Sequence, residues 1–238
     1  LFVCGVLAVN LPADFPKCKR SDPNLNDCIK SAYDASLPFL AKGMPEFRID
    51  SVAPIKLDSM TIGEGTGAVH VVQNYKNVEY HNLHLTTAES VEATITDTEF
   101  RILLTVYSKD FHLYAHYDLN GHILILPIIG KGECTITLKN TLCKYDIVGE
   151  IVDRGGVKYL EITNFTVVLT PENVRLDFQN LFNGDPLLGP EMNHVLNENW
   201  QDLYADVGHA YEDSLAQAFK RVMNLICKQI PYDDLFPL

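Results

Sequence analysis

The chain has 238 residues, 47% of them hydrophobic, with 14 Gly and 12 Pro, so it can bury one sizeable core and has nothing of a fibrous or disordered composition. A formal charge of -12 sets it against nucleic acid and against anionic membrane surfaces, both of which its field repels. No stretch approaches the roughly 20 apolar residues of a membrane-crossing helix, so a soluble protein is expected.

The apolar run Leu1 to Val9, followed by the polar, Pro-containing stretch Leu11 to Pro16, reads as the end of a secretory signal peptide, with Ala8 near a cleavage point. Residues 1–10 are therefore assigned to a leader and 11–238 to one secreted, extracellular domain; a buried strand over Leu1–Val9 is the alternative. With Cys4 in the leader, Cys18, Cys28, Cys134, Cys143 and Cys227 remain, an odd set that cannot pair completely. Cys18 and Cys28 flank the start of a helix at a spacing that a short loop closes, and such a bridge contributes up to about 3 kcal/mol in the chain-entropy picture. Cys134 and Cys143 fall in one strand, which predicts a separation of roughly 30 Å on opposite faces and disfavours a bridge. One disulfide and three buried thiols are expected, with a link from Cys227 to either strand cysteine left open.

In chain order, a helix is predicted from Asp22 as N-cap, with Pro23 in its first turn. Leu25, Cys28, Ile29, Ala32, Tyr33 and Leu37 give it one apolar face, and Pro38 ends or kinks it before Gly43 and Pro45. From Ile55 to about Asn180 the pattern alternates: Phe111, Leu113, Ala115 and Tyr117 take one face, His112, Tyr114, His116 and Asp118 the other. Asn120-Gly121 and Gly155-Gly156 read as hairpin turns, which makes this region a meander of long antiparallel strands. From Pro190 to Pro231 apolar residues recur at helical spacing, from Met192 through Trp200, Tyr211 and Phe219 to Ile230, predicting a single rod of roughly 60 Å. A helix of that length with one apolar stripe needs an equally long partner, and the sheet is the only one available. The predicted fold is therefore α+β: a highly curved antiparallel β-sheet wrapped lengthwise around a long C-terminal α-helix, with a short N-terminal helix.

Catalytic signatures are missing: there is no GxSxG, HExxH, Walker loop or GxGxxG after a strand, so the chain is not expected to be an enzyme. Gly63-Glu64-Gly65-Thr66-Gly67 lacks the Lys and helix of a phosphate cradle and reads as a strand-connecting loop. His81 and His84 would point to opposite faces of a strand. His112 and His116 share a face about 13 Å apart, so no metal site is expected. Gly208, in mid-helix, marks either a close approach of another element or space left for something else. Asn164-Phe165-Thr166 is a glycosylation sequon inside a predicted strand, with Asn164 the acceptor.

Several segments resemble the insect takeout and juvenile hormone-binding proteins. They are Leu181-Phe182-Asn183-Gly184-Asp185, then Leu188-Gly189, Met192-Asn193 and Leu196-Asn197-Glu198-Asn199-Trp200 at the start of the long helix; Leu126-Pro127-Ile128 with Gly130-Lys131-Gly132; and the Cys18, Cys28 pair before a helix that ends at Gly43-Met44-Pro45-Glu46. The likeness is nearer to the takeout branch than to the hormone carriers, and it implies the TULIP-type wrapped-helix fold around an apolar tunnel. It also implies secretion into haemolymph or sensory fluid and binding of a small lipophilic ligand of the juvenile hormone, terpenoid or fatty-acyl type. That ligand would be held non-covalently with no other cofactor, and since binding residues are not motif residues, the tunnel-lining positions are read from the apolar faces. The expected lining is Ile29, Tyr33, Leu37, Phe111, Leu113, Tyr117, Tyr145, Trp200, Tyr204, Tyr211, Phe219, Val222 and Ile226, with Tyr145 the candidate to orient a ligand and the N-terminal helix a gate. The second disulfide of the hormone-binding branch has no evident counterpart. The alternative function is a secreted signalling protein, monomeric like the carrier, that engages an unidentified receptor in feeding, circadian or sensory behaviour without an obligatory ligand.

Overall fold

The computed structural model describes residues 10–238. The leader expected over residues 1–10 and its Cys4 lie, Asn10 apart, outside the described residues. Three strands dominate: β5 (Phe100–Ile123), β6 (Leu126–Arg154) and β7 (Val157–Phe178), joined by direct hairpins in antiparallel register. β1 (Ile55–Ile62) and β3 (Gln73–His81) extend the sheet in the order β1-β3-β5-β6-β7. The short β2 (Val69–His70) and β4 (Thr87–Ile95) pair with the two ends of β5, either side of β3. α1 (Leu25–Lys42) lies against β4, and α2 (Leu188–Glu198) and α3 (Trp200–Cys227) run along β7, with the short α4 (Tyr232–Leu235) after them.

The strands bury mostly alternate residues, and at one level the phase slips on β5, β6 and β7 together. Ser108 and Phe111 are both buried on β5, Leu138 and Thr141 on β6, and Leu169 and Val174 on β7. Asn140 sits at this level with a φ of 47°, a left-handed conformation that Asn tolerates better than most residues. Its side chain accepts from the Tyr107 hydroxyl and donates to Glu172, tying all three strands together. Pro171 is accommodated at the same level of the edge strand β7. The slip corrects one expectation: Cys134 and Cys143 share the buried face, because the phase changes between them. Both are nevertheless free thiols, as is Cys227, and Cys18–Cys28 is the disulfide.

Several boundaries also differ from those predicted. Asn120-Gly121 is not a turn: β5 continues through it, and the chain reverses at Leu124, whose φ is 54°. Gly121 serves β2 instead, since a Cβ there would lie 2.5 Å from the His70 carbonyl oxygen. Gly155-Gly156 does form a hairpin turn, with both φ angles positive. Asp22 caps no helix; it accepts the Asn24 N–H in a turn that precedes α1. Pro38 neither ends nor breaks α1, which runs on to Gly43, where φ is 84°. The predicted single rod is two helices, because Asn199 (φ -111°, ψ 20°) leaves helical geometry and turns its side chain back onto the Val195 carbonyl. Helix α3 stops at Cys227, short of Pro231.

Helix side chains pair with backbone groups along β7 and β4, which covers part of the unpaired backbone row that makes edge strands adhesive. On β7, Asn193 pairs with the N–H and C=O of Phe178, Asn197 with those of Leu176 and Asn224 with those of Ile162. Glu212 accepts the Leu169 N–H in the same row. On β4, Asn26 and Asp34 of α1 accept the N–H groups of Ala93 and Ala88. The loop after β1 closes on α3 through Asp206, whose carboxylate accepts the N–H groups of Thr66, Gly67 and Val69 at 2.8–2.9 Å. The Gly63–Gly67 cluster is thus a strand-connecting loop that grips a side chain of its own protein.

Candidate functional site

Among the described residues, two cavities lie between the sheet and the helices. The larger, about 280 Å³, lies under α1 and is walled by Ile102 and Leu104 of β5, Tyr145 and Ile147 of β6, Phe165 of β7 and the C-terminal half of α3. The smaller, about 90 Å³, lies under the N-terminal half of α3, against Phe111, Leu113, Ile136 and Val174. They share no wall residue, and the level at which the strand phase slips separates them. Val106, Ser108, Thr141, Cys143 and Val167 are all buried there and line neither cavity.

Of the residues expected to line a tunnel, Ile29, Tyr33, Leu37, Tyr145, Phe219, Val222 and Ile226 border the larger cavity, and Phe111, Leu113, Trp200, Tyr204 and Tyr211 border the smaller. Tyr117 borders neither: its ring packs on Phe178 and its hydroxyl donates to the Gln179 carbonyl. The question left open by Gly208 is answered by Tyr204, whose ring a Cβ on Gly208 would approach to 3.1 Å; both residues border the smaller cavity. Sequence alternation did not single out Phe100, Ile102, Leu104 or Phe165. It also missed Gln73, a polar residue on the inward phase of β3, and that mismatch is the signal by which it could have been found.

Few polar groups face the larger cavity, and each is already engaged. The Thr86 hydroxyl donates to the Leu83 carbonyl at 3.0 Å, so the Tyr33 hydroxyl donates to Thr86 at 2.7 Å and keeps only its lone pairs. Tyr145 stacks in an aromatic cluster with Phe165 and Phe219 at centroid distances of 5.6 and 5.5 Å. Burial pushes the hydroxyl pKa of Tyr33 and Tyr145 well above the ordinary tyrosine value, so both remain neutral. Burial likewise pushes the thiols of Cys143 and Cys227 up to about 12, which leaves no thiolate for nucleophilic chemistry. Such a wall can hold an apolar molecule by shape and burial and can orient it at only one or two points.

One end of this cavity is walled by residues of two segments far apart in sequence. Leu11, Phe15 and Cys18 on one side meet Leu235 and Phe236 on the other. Arg20, with a side chain 5% exposed, links them by lying over the Tyr232 ring at 4.8 Å and pairing with Asp233 at 2.7 Å and Asp97 at 3.3 Å. The disulfide fixes this segment to the first turn of α1. The Asn164 side chain faces solvent from within β7, so the strand does not hide the sequon.

Comparison with known proteins agrees with this geometry. The sequence profile of the haemolymph juvenile hormone binding protein family matches residues 1–237. The circadian clock-controlled protein daywake of Drosophila melanogaster is 28% identical over 231 residues, covering 94% of this chain and 88% of that protein. A putative beta-carotene-binding protein of Schistocerca gregaria is 21% identical over 218 residues, covering 91% of this chain and 86% of that one. The crystal structure of Takeout 1 from Epiphyas postvittana superposes with a TM-score of 0.82 at 23% identity, covering 94% of this chain and all of that one, and so shares its fold.

Proposed function

Because the chain belongs to the haemolymph juvenile hormone binding protein family, we propose that it is a secreted carrier that binds a lipophilic molecule non-covalently between sheet and helices. The observation that carries this reading is the cavity of about 280 Å³, walled almost entirely by apolar side chains whose few polar groups are engaged with one another. Apolar surface drawn from water into such a space gains roughly 25 cal/mol per Å², and nothing in the wall demands a charged partner. A terpenoid or fatty-acyl molecule, juvenile hormone among them, suits that wall. The Cys18–Cys28 disulfide supports a protein that works outside the cytosol.

Native mass spectrometry after incubation with farnesol, lauric acid and juvenile hormone tests the reading. A one-to-one adduct that survives buffer exchange is expected for at least one of them. Absence of any adduct, together with unaltered thermal stability, would count decisively against a carrier.

A further inference from the structure

We propose that the smaller cavity recognises a carbonyl oxygen on an otherwise apolar molecule, with the side-chain amide of Gln73 as the donor. This rests on the carrier reading and narrows the class of ligand it admits. Gln73 opens β3 on its inward phase, is 7% exposed and forms part of the cavity wall. Its Oε1 accepts from the hydroxyls of Tyr75 at 2.8 Å and Tyr211 at 2.6 Å, and the two phenol oxygens are 2.7 Å apart. In this orientation the carbonyl of the amide lies on the tyrosine side. The Nε2 is then buried without a partner, a condition that native proteins rarely tolerate.

The other hydroxyls around the cavity keep acceptor lone pairs, but none of them is hydrogen-bonded to this Nε2. Tyr211 is committed to Gln73, Tyr204 donates to Glu212 at 2.9 Å, and Tyr80 donates to the Met60 sulfur at 3.6 Å. The remaining wall is aliphatic or aromatic, including Val69, Leu113, Ile136, Leu203 and Trp200. A buried water needs two to four polar partners, and this wall offers it little beyond one amide. An alcohol could accept from Nε2, but its own O–H would be left unpaired among apolar side chains. A ketone or ester oxygen accepts and brings no donor, so it satisfies the amide and leaves no orphan.

Trp200, the sole Trp of the chain, borders the same cavity and reports occupancy by its fluorescence. The test titrates methyl butyl ketone, the isosteric alkene with C=CH2 in place of C=O, and the matching secondary alcohol into the wild-type protein and Gln73→Leu. Ketone affinity should fall about three- to tenfold in the variant, the scale of one neutral hydrogen bond, while the alkene binds as well or better. In the wild type the ketone should also bind more tightly than the alcohol. A ketone-to-alkene ratio that is the same in both proteins overturns the proposal. If Gln73→Leu does not fold, the infrared stretch of carbonyl-labelled ketone on the wild type decides: a frequency below that in hexane supports the hydrogen bond, and an unshifted one overturns it. Failure of all three probes to bind while lauric acid forms its adduct overturns the Gln73 pocket alone. Failure of every probe removes the carrier reading as well.

Discussion

Leu104 and Val106 face the same side of β5, two residues apart, yet they should respond in opposite directions to added volume. Leu104 is 4% exposed and walls the larger cavity, whereas Val106 is 0% exposed and lies in the layer between the cavities. Leu104→Phe adds three carbons beside a space of about 280 Å³. At about 0.8 kcal/mol per buried carbon, filling that space stabilises by up to about 2 kcal/mol. Val106→Phe adds four carbons where no adjoining space exists, and overpacking of that kind costs about 1–3 kcal/mol. Urea unfolding followed by circular dichroism measures both, with the midpoint shift read as stability provided that the slope is unchanged. Leu104→Phe should also weaken the lauric acid adduct by occupying its space, and Val106→Phe should affect it much less. If both variants lose more than about 1 kcal/mol and the adduct is unaffected, the space beneath α1 is packed core and the sheet holds no ligand there.

Asn197 makes three hydrogen bonds, two of them to the N–H and C=O of Leu176. Asn197→Ala strands both of these part-buried backbone groups and should cost about 2–4 kcal/mol in chemical denaturation, against about 1 kcal/mol for Asn199→Ala, which loses one bond to Val195. Desolvation opposes ionisation of Asp206, but the N–H groups of Val69, Gly67 and Thr66 outweigh it and hold the carboxyl below its ordinary value. A depressed carboxylate contributes stability above its unfolded pKa of about 4, and that contribution is lost as pH falls through the folded value. Asp206→Asn should therefore be less stable than wild type at neutral pH and approach it in strong acid; a gap that persists in acid would refute the charge-based account. Burial pushes the thiols of Cys134, Cys143 and Cys227 up to about 12, so iodoacetamide should label none of them in the native protein at mildly alkaline pH and all three in urea, as mapped by peptide mass spectrometry.

The elements that sequence reasoning located well are those whose signal is periodic and local. Alternation from Phe111 to Asp118 marks a strand because one face is buried and the other wet, and the stripe from Met192 to Ile226 marks helix for the corresponding reason at a period of 3.6. What was not legible depends on contacts between distant segments. Asn120-Gly121 has the composition of a turn, but its glycine is required by the approach of β2, some 50 residues earlier in the chain. The phase slip at Asn140 buries Thr141 and exposes Leu142, but the contacts that hold it, to Tyr107 and Glu172, lie on neighbouring strands and leave no local signal. The same slip put Cys134 and Cys143 on one face against the simple period-two rule.

That slip also bears on how the interior is divided. A sheet with unbroken alternation would present one continuous inward face to α3 and could enclose a single tube. Here three adjacent strands change phase at the same level, and the side chains buried at that level, including Thr141 and Val106, are among the least exposed in the protein. The segments that carry the resemblance contribute only a few wall residues, among them Ile128, Leu196 and Trp200 of the smaller cavity and Cys18 of the larger. Asn193 and Asn197 seal the edge of β7, Asn183 and Gly184 make a left-handed turn, and Asp185 accepts the N–H groups of Leu187 and Leu188 where α2 begins. These polar motif residues hold the helices against the sheet, whereas the cavity walls are built almost entirely from apolar residues. An apolar wall holds its ligand by shape and burial, so the polar exception at Gln73 says more about the bound molecule than the helix-docking motifs do.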